Sequence, residues 1–478
     1  IARVERQDNG SIQIGPGVGG EITWAPTPAS VVDLTVNTDF AETDVDRRVV
    51  NLRRFSVFLP ERRQFFLESS GVFTSGLPEF LQPFFSRTIG LENGRSIPIA
   101  AGARAVYRSV DRSAGLLVVD TLATDSARNS LFGVARYSHN LGEQSRVGGL
   151  LIARNDFASV DVAQTTNVVP VIDGFTRVGQ VTLQGSAMGS ATQEGLLASY
   201  GGAGSAEAAV VGKYGWARVN LVGISPRFRA NAGFVARENI FGAGLNAGID
   251  YRPLWLPGLV RAVGIFTDSV ALWRAEDAKF QEVNIYASPA WVLFRGGDEA
   301  WFFVEKSSQV LTESFEPVPQ VTFGPGVYNF ERYGVSAFSQ RSRKISASFE
   351  ASIGRYYTAE TFRGSIGASL QPIPHVQLAA TWGYNRFWGQ GVSGGAADTH
   401  LILLESRLAM TPRLQVIGSF QRDTAGNGNV INARLAWEFL PLSFVYLVFT
   451  DTRPAYASPA APIPEQRLAL KVAYTWRT

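Results

Sequence analysis

The chain has 478 residues, with 44 Lys+Arg against 41 Asp+Glu, a formal net charge of +3, no Cys and three His. This excludes disulfides and thiolate chemistry, and so small a net charge points away from nucleic acid as a partner. Charged residues make up 18% of the chain against roughly 25% in soluble domains. Mean hydropathy is +0.03, too apolar for disorder and too polar for a helical membrane bundle. No stretch reaches the roughly 18 consecutive apolar residues that a membrane-crossing helix needs. Only five of the basic residues are Lys (213, 279, 306, 344 and 471), so Arg, which stays charged and makes several fixed hydrogen bonds, carries nearly all the positive charge.

In chain order, Ile1-Ala-Arg-Val-Glu-Arg6 lacks the apolar core of a signal peptide, so the chain is expected to be either cytosolic or, as the missing initiator Met favours, already freed of a precursor segment. Val18–Trp24 and Val31–Val36, joined by the turn Ala25-Pro-Thr-Pro28, read as strands, so residues 1–36 are taken as the first strands of a sheet. Residues 37–95 do not alternate. Glu42, Asp44 and Asp46 stand beside Arg47 and Arg48, followed by Arg53, Arg54, Glu61, Arg62, Arg63 and Glu68, with Arg87 in the aromatic stretch Phe80–Gly90. Such charge is costly against lipid, and the insertion is long for a connection between strands. It is expected to form a plug inside a lumen or a cap over its periplasmic mouth. Asp46–Phe55 or Pro60–Glu68 would be a short helix, Pro60 suiting a first helical position.

The runs Asn37-Thr-Asp-Phe-Ala-Glu42, Val50-Asn-Leu-Arg-Arg-Phe55 and Phe58-Leu-Pro-Glu-Arg-Arg-Gln-Phe-Phe-Leu-Glu68, then Phe85-Ser-Arg-Thr-Ile-Gly90, closely resemble a family of uncharacterised bacterial outer-membrane proteins. These carry the domain of unknown function DUF5916. The resemblance is specific over residues 18–90 and architectural beyond. It implies a membrane β-barrel following the motif and a place in the bacterial outer membrane. The carbohydrate-binding-like domain that typically precedes the motif in that family is not in this sequence, and the family supplies no established activity.

From Ile97–Arg108 to Trp301–Leu311 the chain reads as strands of blurred alternation, Ala206–Val222 and Phe228–Arg237 among them, with many Gly, Ala or Ser at inward positions. From about residue 330 the period of two is clear. Ile345, Ala347, Phe349, Ala351 and Ile353 alternate with polar residues, as do Leu468, Leu470, Val472, Tyr474 and Trp476. These strands run about 9–11 residues, the length that crosses a bilayer at a tilt. Short links such as 371–375 and 410–413 alternate with long ones such as 387–399 and 450–466, the habit of an antiparallel membrane barrel. Trp382/Tyr384, Trp437/Phe439 and Tyr474/Trp476 fit interfacial girdles or, alternatively, the core of a soluble sandwich. The expected fold is all-β: a large antiparallel transmembrane β-barrel of roughly 18–20 strands, residues 96–478 forming the remainder after the charged insertion.

Asp44 and Asp46 with Glu42 could cage Ca²⁺, but Arg47 and Arg48 neutralise the cluster, and neither metal nor cofactor is expected. Arg53, Arg54, Arg62 and Arg63 could form an anion ladder or pin the plug to lumen carboxylates such as Glu405 and Glu438. Glu350, Glu405, Arg407, Arg434, Glu438 and Lys471 are pore-lining candidates, or members of a packed polar network. Catalysis is not expected, since His139, His375 and His400 read as turn or interface residues without a nucleophile and acid beside them. Gly201–Gly204 and Gly389–Gly395 read as loops, not phosphate cradles. The expected function is a channel or gated transporter for small polar or sugar-like solutes, embedded in outer-membrane lipid. The alternative is a structural barrel with a sealed lumen that anchors partner proteins.

Overall fold

Side chains on extended backbone point alternately to opposite faces, and that rule organises nearly the whole chain. The computed structural model describes residues 2–7, 12–38, 49–92, 95–124, 127–160, 162–252, 255, 258–426, 428–453 and 465–475. One antiparallel sheet of 25 strands dominates it. Its first part comprises β1 Ala2–Gln7, β2 Ile12–Pro16, β3 Gly20–Thr27, β4 Ser30–Thr38, β5 Ile99–Arg108, β6 Arg112–Thr121, β7 Ser130–Asn140, β8 Ser145–Asp156 and β9 Thr165–Val178. It continues with β10 Val181–Glu194, β11 Leu197–Val211, β12 Gly215–Ile224, β13 Ile240–Tyr251, β14 Val260–Arg274, β15 Phe280–Phe294, β16 Glu299–Leu311 and β17 Gly326–Phe338. The last strands are β18 Ile345–Tyr356, β19 Ala359–Ile373, β20 Val376–Gly389, β21 Ala396–Thr411, β22 Leu414–Asp423, β23 Gly428–Leu440, β24 Ser443–Arg453 and β25 Glu465–Ala473.

From β3 to β25 each strand pairs with its neighbour in sequence. β25 then pairs with β1, from Ala2↔Leu470 to Gln7↔Glu465, and β1 pairs with β2. The ladder therefore has β3 at one edge and β2 at the other, and only Gly17-Val18-Gly19 lies between them. Among the described residues no pairing joins β2 directly to β3. The strand number exceeds the expected 18–20 because many connections shrink to two residues, as between Val178↔Val181 and Glu194↔Leu197. Gly179 and Gly195 take φ of +62° and +57° there, the sense of twist that closes so short a hairpin.

On one face, large apolar residues are exposed: Leu116, Leu151, Ile172, Ile249, Ile366 and Leu447 are examples. The opposite face behaves in two ways. On β5–β9 it is apolar and buried, with Leu117, Val119, Phe132, Ile152 and Val171 packed against Phe65 and Phe73 of segment 49–92. Over their middles these strands are apolar on both faces, with charged pairs such as Arg136–Asp173 and Arg154–Asp156 on the inner face beside the apolar patch, and this explains the blurred alternation. On β21–β25 that face stays polar. Glycines admit the segment: a Cβ on Gly102 would meet Phe65 Cζ at 3.3 Å, and one on Gly115 would meet Phe73 Cε1 at 2.8 Å.

Other expectations also change. Gly201–Gly204 lies inside β11, because connection 225–239 folds onto the sheet and a Cβ on Gly201 would stand 2.3 Å from the Phe228 backbone. Ala206–Val222 is the end of one strand and the start of the next, and Phe228–Arg237 contains only the two-residue strand Phe234–Val235. The expected helix from Pro60 is reduced to α1, Gln64–Leu67. The Glu61 carboxylate takes the backbone N–H groups of Arg62 and Arg63, both at 2.9 Å, and holds that stretch out of helical form. Residues 46–48 lie outside the described residues, and 49–55 form no helix.

Replacing Gly115 by Leu should cost roughly 1–3 kcal/mol through overpacking against Phe73, whereas Leu116→Val on the exposed face should cost within about 0.5 kcal/mol. Urea unfolding in lipid vesicles measures both; equal effects would contradict the assignment of faces.

Candidate functional site

Segment 39–98 leaves the sheet after β4 and returns at β5, and these two strands are paired from Ser30↔Tyr107 to Thr38↔Ile99. That register sets Asp33 opposite Arg104, and β3 sets Thr23 opposite Asp33. Asp33 and Arg104 are 0% and 3% exposed. Thr23 Oγ1 donates to Asp33 Oδ1 at 2.7 Å, and Arg104 donates to Asp33 Oδ2 through Nε at 2.9 Å and a terminal nitrogen at 2.6 Å. The same guanidinium donates to the carbonyl oxygens of Phe65 and, at 2.6 Å, Glu68, and to the Glu68 carboxylate at 2.9 Å. The last carbonyls of a helix have no partner within it and carry partial negative charge, so Arg104 satisfies the end of α1 while it is bound to the sheet.

Within the segment, Glu61 is the hub. Besides the two backbone N–H groups, it accepts from Arg63 at 2.9 and 2.7 Å and from Ser86 Oγ at 2.7 Å. Arg63 donates onward to the carbonyls of Ile89 at 2.6 Å and Ser86 at 2.8 Å and lies 4.3 Å over the Phe66 ring. Arg87 donates to the Pro60 carbonyl at 3.1 Å. Burial alone would push the Glu61 carboxyl up, but the Arg63 guanidinium and N–H groups outweigh it and hold it below the ordinary carboxylate value.

A third anchor lies where the segment enters. Arg54 lies 3.6 Å from Glu282 on β15 and donates to the Val310 carbonyl at 3.1 Å. Arg237 pairs with Glu282 at 2.7 Å and stacks 3.7 Å over Phe55, and Asn284 donates to Glu282 at 2.7 Å. The Tyr356 hydroxyl on β18 donates to the Leu52 carbonyl, and the Arg53 N–H goes to Asn51 Oδ1 at 3.0 Å. Among the described residues, the carboxylates that anchor the segment include Asp33, through Arg104, and Glu282. Glu282 is 1% exposed beside the entering chain, whereas Glu438 accepts the Leu442 N–H at 2.8 Å at a turn on the far end of the strands.

Among the described residues, a cavity of about 460 Å³ lies between the segment and the late strands. Glu61, Arg62 and Gln64 line one side, and Arg413, Arg434, Glu438 and Tyr446 the other. Five of the six pore-lining candidates share the inner face of β21–β25. Glu405 opposes Ser419, Arg407 and Arg434 both oppose Ile417, and Lys471 opposes Tyr446; Glu438 stands on the same face of β23. Glu350 sits apart on β18, opposite Ser336 and Ser365. Asp44, Asp46, Arg47 and Arg48 lie outside the described residues. His400 stacks on Tyr384 at 5.0 Å and accepts from Trp382 Nε1 at 3.3 Å. Sequence reasoning missed Asp33, Arg104, Arg237 and Glu282; the available signal was a charged residue in an apolar strand, as in Val31-Val-Asp-Leu34.

Replacing Arg104 by Ala leaves Asp33 buried without its partner and should destabilise the protein by about 3–5 kcal/mol, read by urea unfolding, with faster amide exchange over residues 64–68. A loss below about 1 kcal/mol, the worth of a surface pair, would contradict the anchor. Because the folded Glu61 carboxyl titrates below its ordinary value, its contribution is complete above about pH 4.3 and is lost as pH falls through the depressed value. Amide protection of residues 61–63 should therefore hold at pH 6 and fall only in acid, and Glu61→Gln should abolish that dependence. Protection that instead falls between pH 7 and 5 would contradict this.

Residues 3–107 match the family described as "Domain of unknown function (DUF5916)", the family to which the charged motifs are similar. The matched stretch spans β1 to β5 and contains Asp33, Arg104 and the whole segment between them. Among solved structures, the chain is similar to the ferric-catecholate import receptor Fiu from E. coli K12 in its open form, at 8% identity and a TM-score of 0.39, over 78% of this chain and 71% of that chain. No curated protein matches the sequence.

Proposed function

We propose that the sheet closes into a transmembrane barrel in the bacterial outer membrane, and that this barrel passes small polar solutes, sugar-like ones included, beside a segment folded into its lumen. Three observations support closure. A flat sheet of 25 strands would span about 115 Å at roughly 4.8 Å per strand, yet its two edge strands are joined by three residues, a reach of about 14 Å. The outward face is apolar, as a bilayer requires. Finally, segment 49–92 reaches β5, β15, β18 and the cavity wall on β22–β24, sites spread along the whole ladder that one short stretch meets together from inside a ring.

Direction follows from the connections. At one end they are short, as at 28–29, 109–111, 179–180, 374–375 and 412–413; at the other they include 39–98, 225–239, 312–325 and 454–464. Membrane barrels keep short turns at the periplasm and long loops outside, so the segment enters as an outer loop folded inward. A periplasmic cap, the other expected arrangement, would instead require the long connections to face the periplasm. Arg54 and Leu52 hold the segment near the outer mouth, and Glu61–Leu67 reach the short-turn end beside Arg413.

The cavity against β22–β24 is the observation that carries the channel reading: it lies beside polar walls, whereas hydrophobic packing covers the β5–β9 side. Single-channel recording in planar bilayers tests it. The intact protein should conduct, and deletion of residues 49–92 should raise the conductance. Absence of current from both proteins would overturn the proposal.

A further inference from the structure

We infer that segment 49–92 holds, between itself and the sheet, a binding site for a small uncharged aromatic compound, naphthalene-sized and bearing one hydroxyl or carbonyl group. The site is a cavity of about 240 Å³ on the β5–β6 side of the segment. It lies behind Glu61 and Leu67, which also border the cavity beside β22–β24. Phe58, Phe65, Phe73, Phe84 and Phe85 line it from the segment, and Arg104 of β5 and Leu117 of β6 close it from the sheet. An apolar cavity of about 150 Å³ takes benzene, so this one has room for a second ring.

The wall is built before any guest arrives. Gly76 takes φ of +85°, and a Cβ there would run into the Leu81 oxygen, so the chain doubles back tightly enough for Leu77 and Leu81 to exchange backbone hydrogen bonds at 2.8 and 2.9 Å. Connection 225–239 then ties down the aromatic stretch: the Ala236 N–H donates to the Phe80 carbonyl at 2.9 Å, and the Phe85 N–H to the Ala232 carbonyl at 2.8 Å. Phe73 and Phe84 meet edge to face with centroids 6.2 Å apart, and Phe58 and Phe85 lie tilted at 4.9 Å. Rings so arranged offer both faces and edges, which favours a flat aromatic guest over an alkyl chain.

The charges around the cavity are already matched. Glu61 is bound by Arg63 and Ser86, and Arg104 by Asp33, Glu68 and two carbonyls. A charged guest would lose its water without gaining an opposite charge. The Ser75 hydroxyl differs, because among the described residues it is buried with no hydrogen-bond partner. Leaving such a group unpaired is costly, and a guest hydroxyl or carbonyl beside it removes the cost. Since the rings belong to the segment while Arg104 and Leu117 belong to the sheet, the guest is held only by the packed state and stabilises it. Binding requires neither conduction nor a closed ring.

Equilibrium dialysis of 2-naphthol against the full chain in lipid nanodiscs, corrected for uptake by empty nanodiscs, tests the inference. One saturable site per chain is expected near neutral pH, with slower amide exchange over residues 64–86 when it is filled. Naphthalene should bind about three- to tenfold more weakly, the worth of one hydrogen bond, and 2-naphthoate and n-decanol at least about tenfold more weakly. Ser75→Ala should lower 2-naphthol to the affinity of naphthalene, and Ser75→Leu, which fills the cavity, should abolish both, while Leu116→Val on the opposite face of the sheet should change neither. Amide protection of residues 64–68 in the unliganded variants checks that the segment stays packed. Absence of saturable uptake by the intact chain overturns the inference. So does an affinity for naphthalene, 2-naphthoate or n-decanol equal to that for 2-naphthol, or a packed Ser75→Leu variant that binds undiminished.

Discussion

A single buried guanidinium, that of Arg104, decides where the inserted segment lies. Burying an ion pair costs several kcal/mol of desolvation per ion and is tolerated only when the remaining donors and acceptors are also satisfied. Arg104 meets that condition by dividing its hydrogen bonds between Asp33 on the sheet and the closing carbonyls of α1. Neither half would be satisfied without the other. The segment's position is thereby coupled to the pairing of β4 with β5, the two strands it interrupts.

From that point the packing follows. A charge-rich stretch does not suit the exposed apolar face, and the strands on either side of it are hydrogen-bonded neighbours, so it folds over the opposite face of the sheet. The aromatic side chains make the choice: Phe65 and Phe73 enter the space left by Gly102 and Gly115, against an apolar wall that would otherwise be wet. Glu282 and Tyr356 fix the far end. The face opposite the exposed apolar one is thus divided, covered by hydrophobic packing on β5–β9 and polar beside a cavity on β22–β24.

Legibility in the sequence tracks this division. On β18 and β25 one face is apolar and exposed and the other is polar, so the alternation is plain to a reader of Lys344–Ile353 or Arg467–Trp476. Over the middles of β5–β9 both faces are apolar, the period of two fades, and strands such as Ser130–Asn140 are recognisable only by their bounding turns. Two-residue hairpins at 179–180 and 195–196 compressed the spacing and led to too low a strand number. The motif around Glu61 and Arg63 stands out by its charge density, and its internal bonds to Ser86 and Ile89 justify that density. Its partners do not stand out: Asp33 and Arg104 meet across 71 positions of sequence, and Arg54 reaches Glu282 across an even longer stretch. Gly201–Gly204 looked like a loop because the chain that needs its bareness, Phe228, is contributed by another connection.

The central claim is a ring with lipid outside, a filled wall on one side of the lumen and a wet wall on the other. The chain has no native Cys, so single spin labels can be placed at Leu116, Leu117, Tyr446 and Leu447 in the lipid-embedded protein and their collisions with oxygen and with a water-soluble nickel chelate compared. The account predicts that Leu116 and Leu447 meet oxygen, Tyr446 meets the nickel chelate and Leu117 meets neither. Equal accessibility of Leu116 and Leu117, or shielding of Tyr446 as complete as that of Leu117, would contradict it.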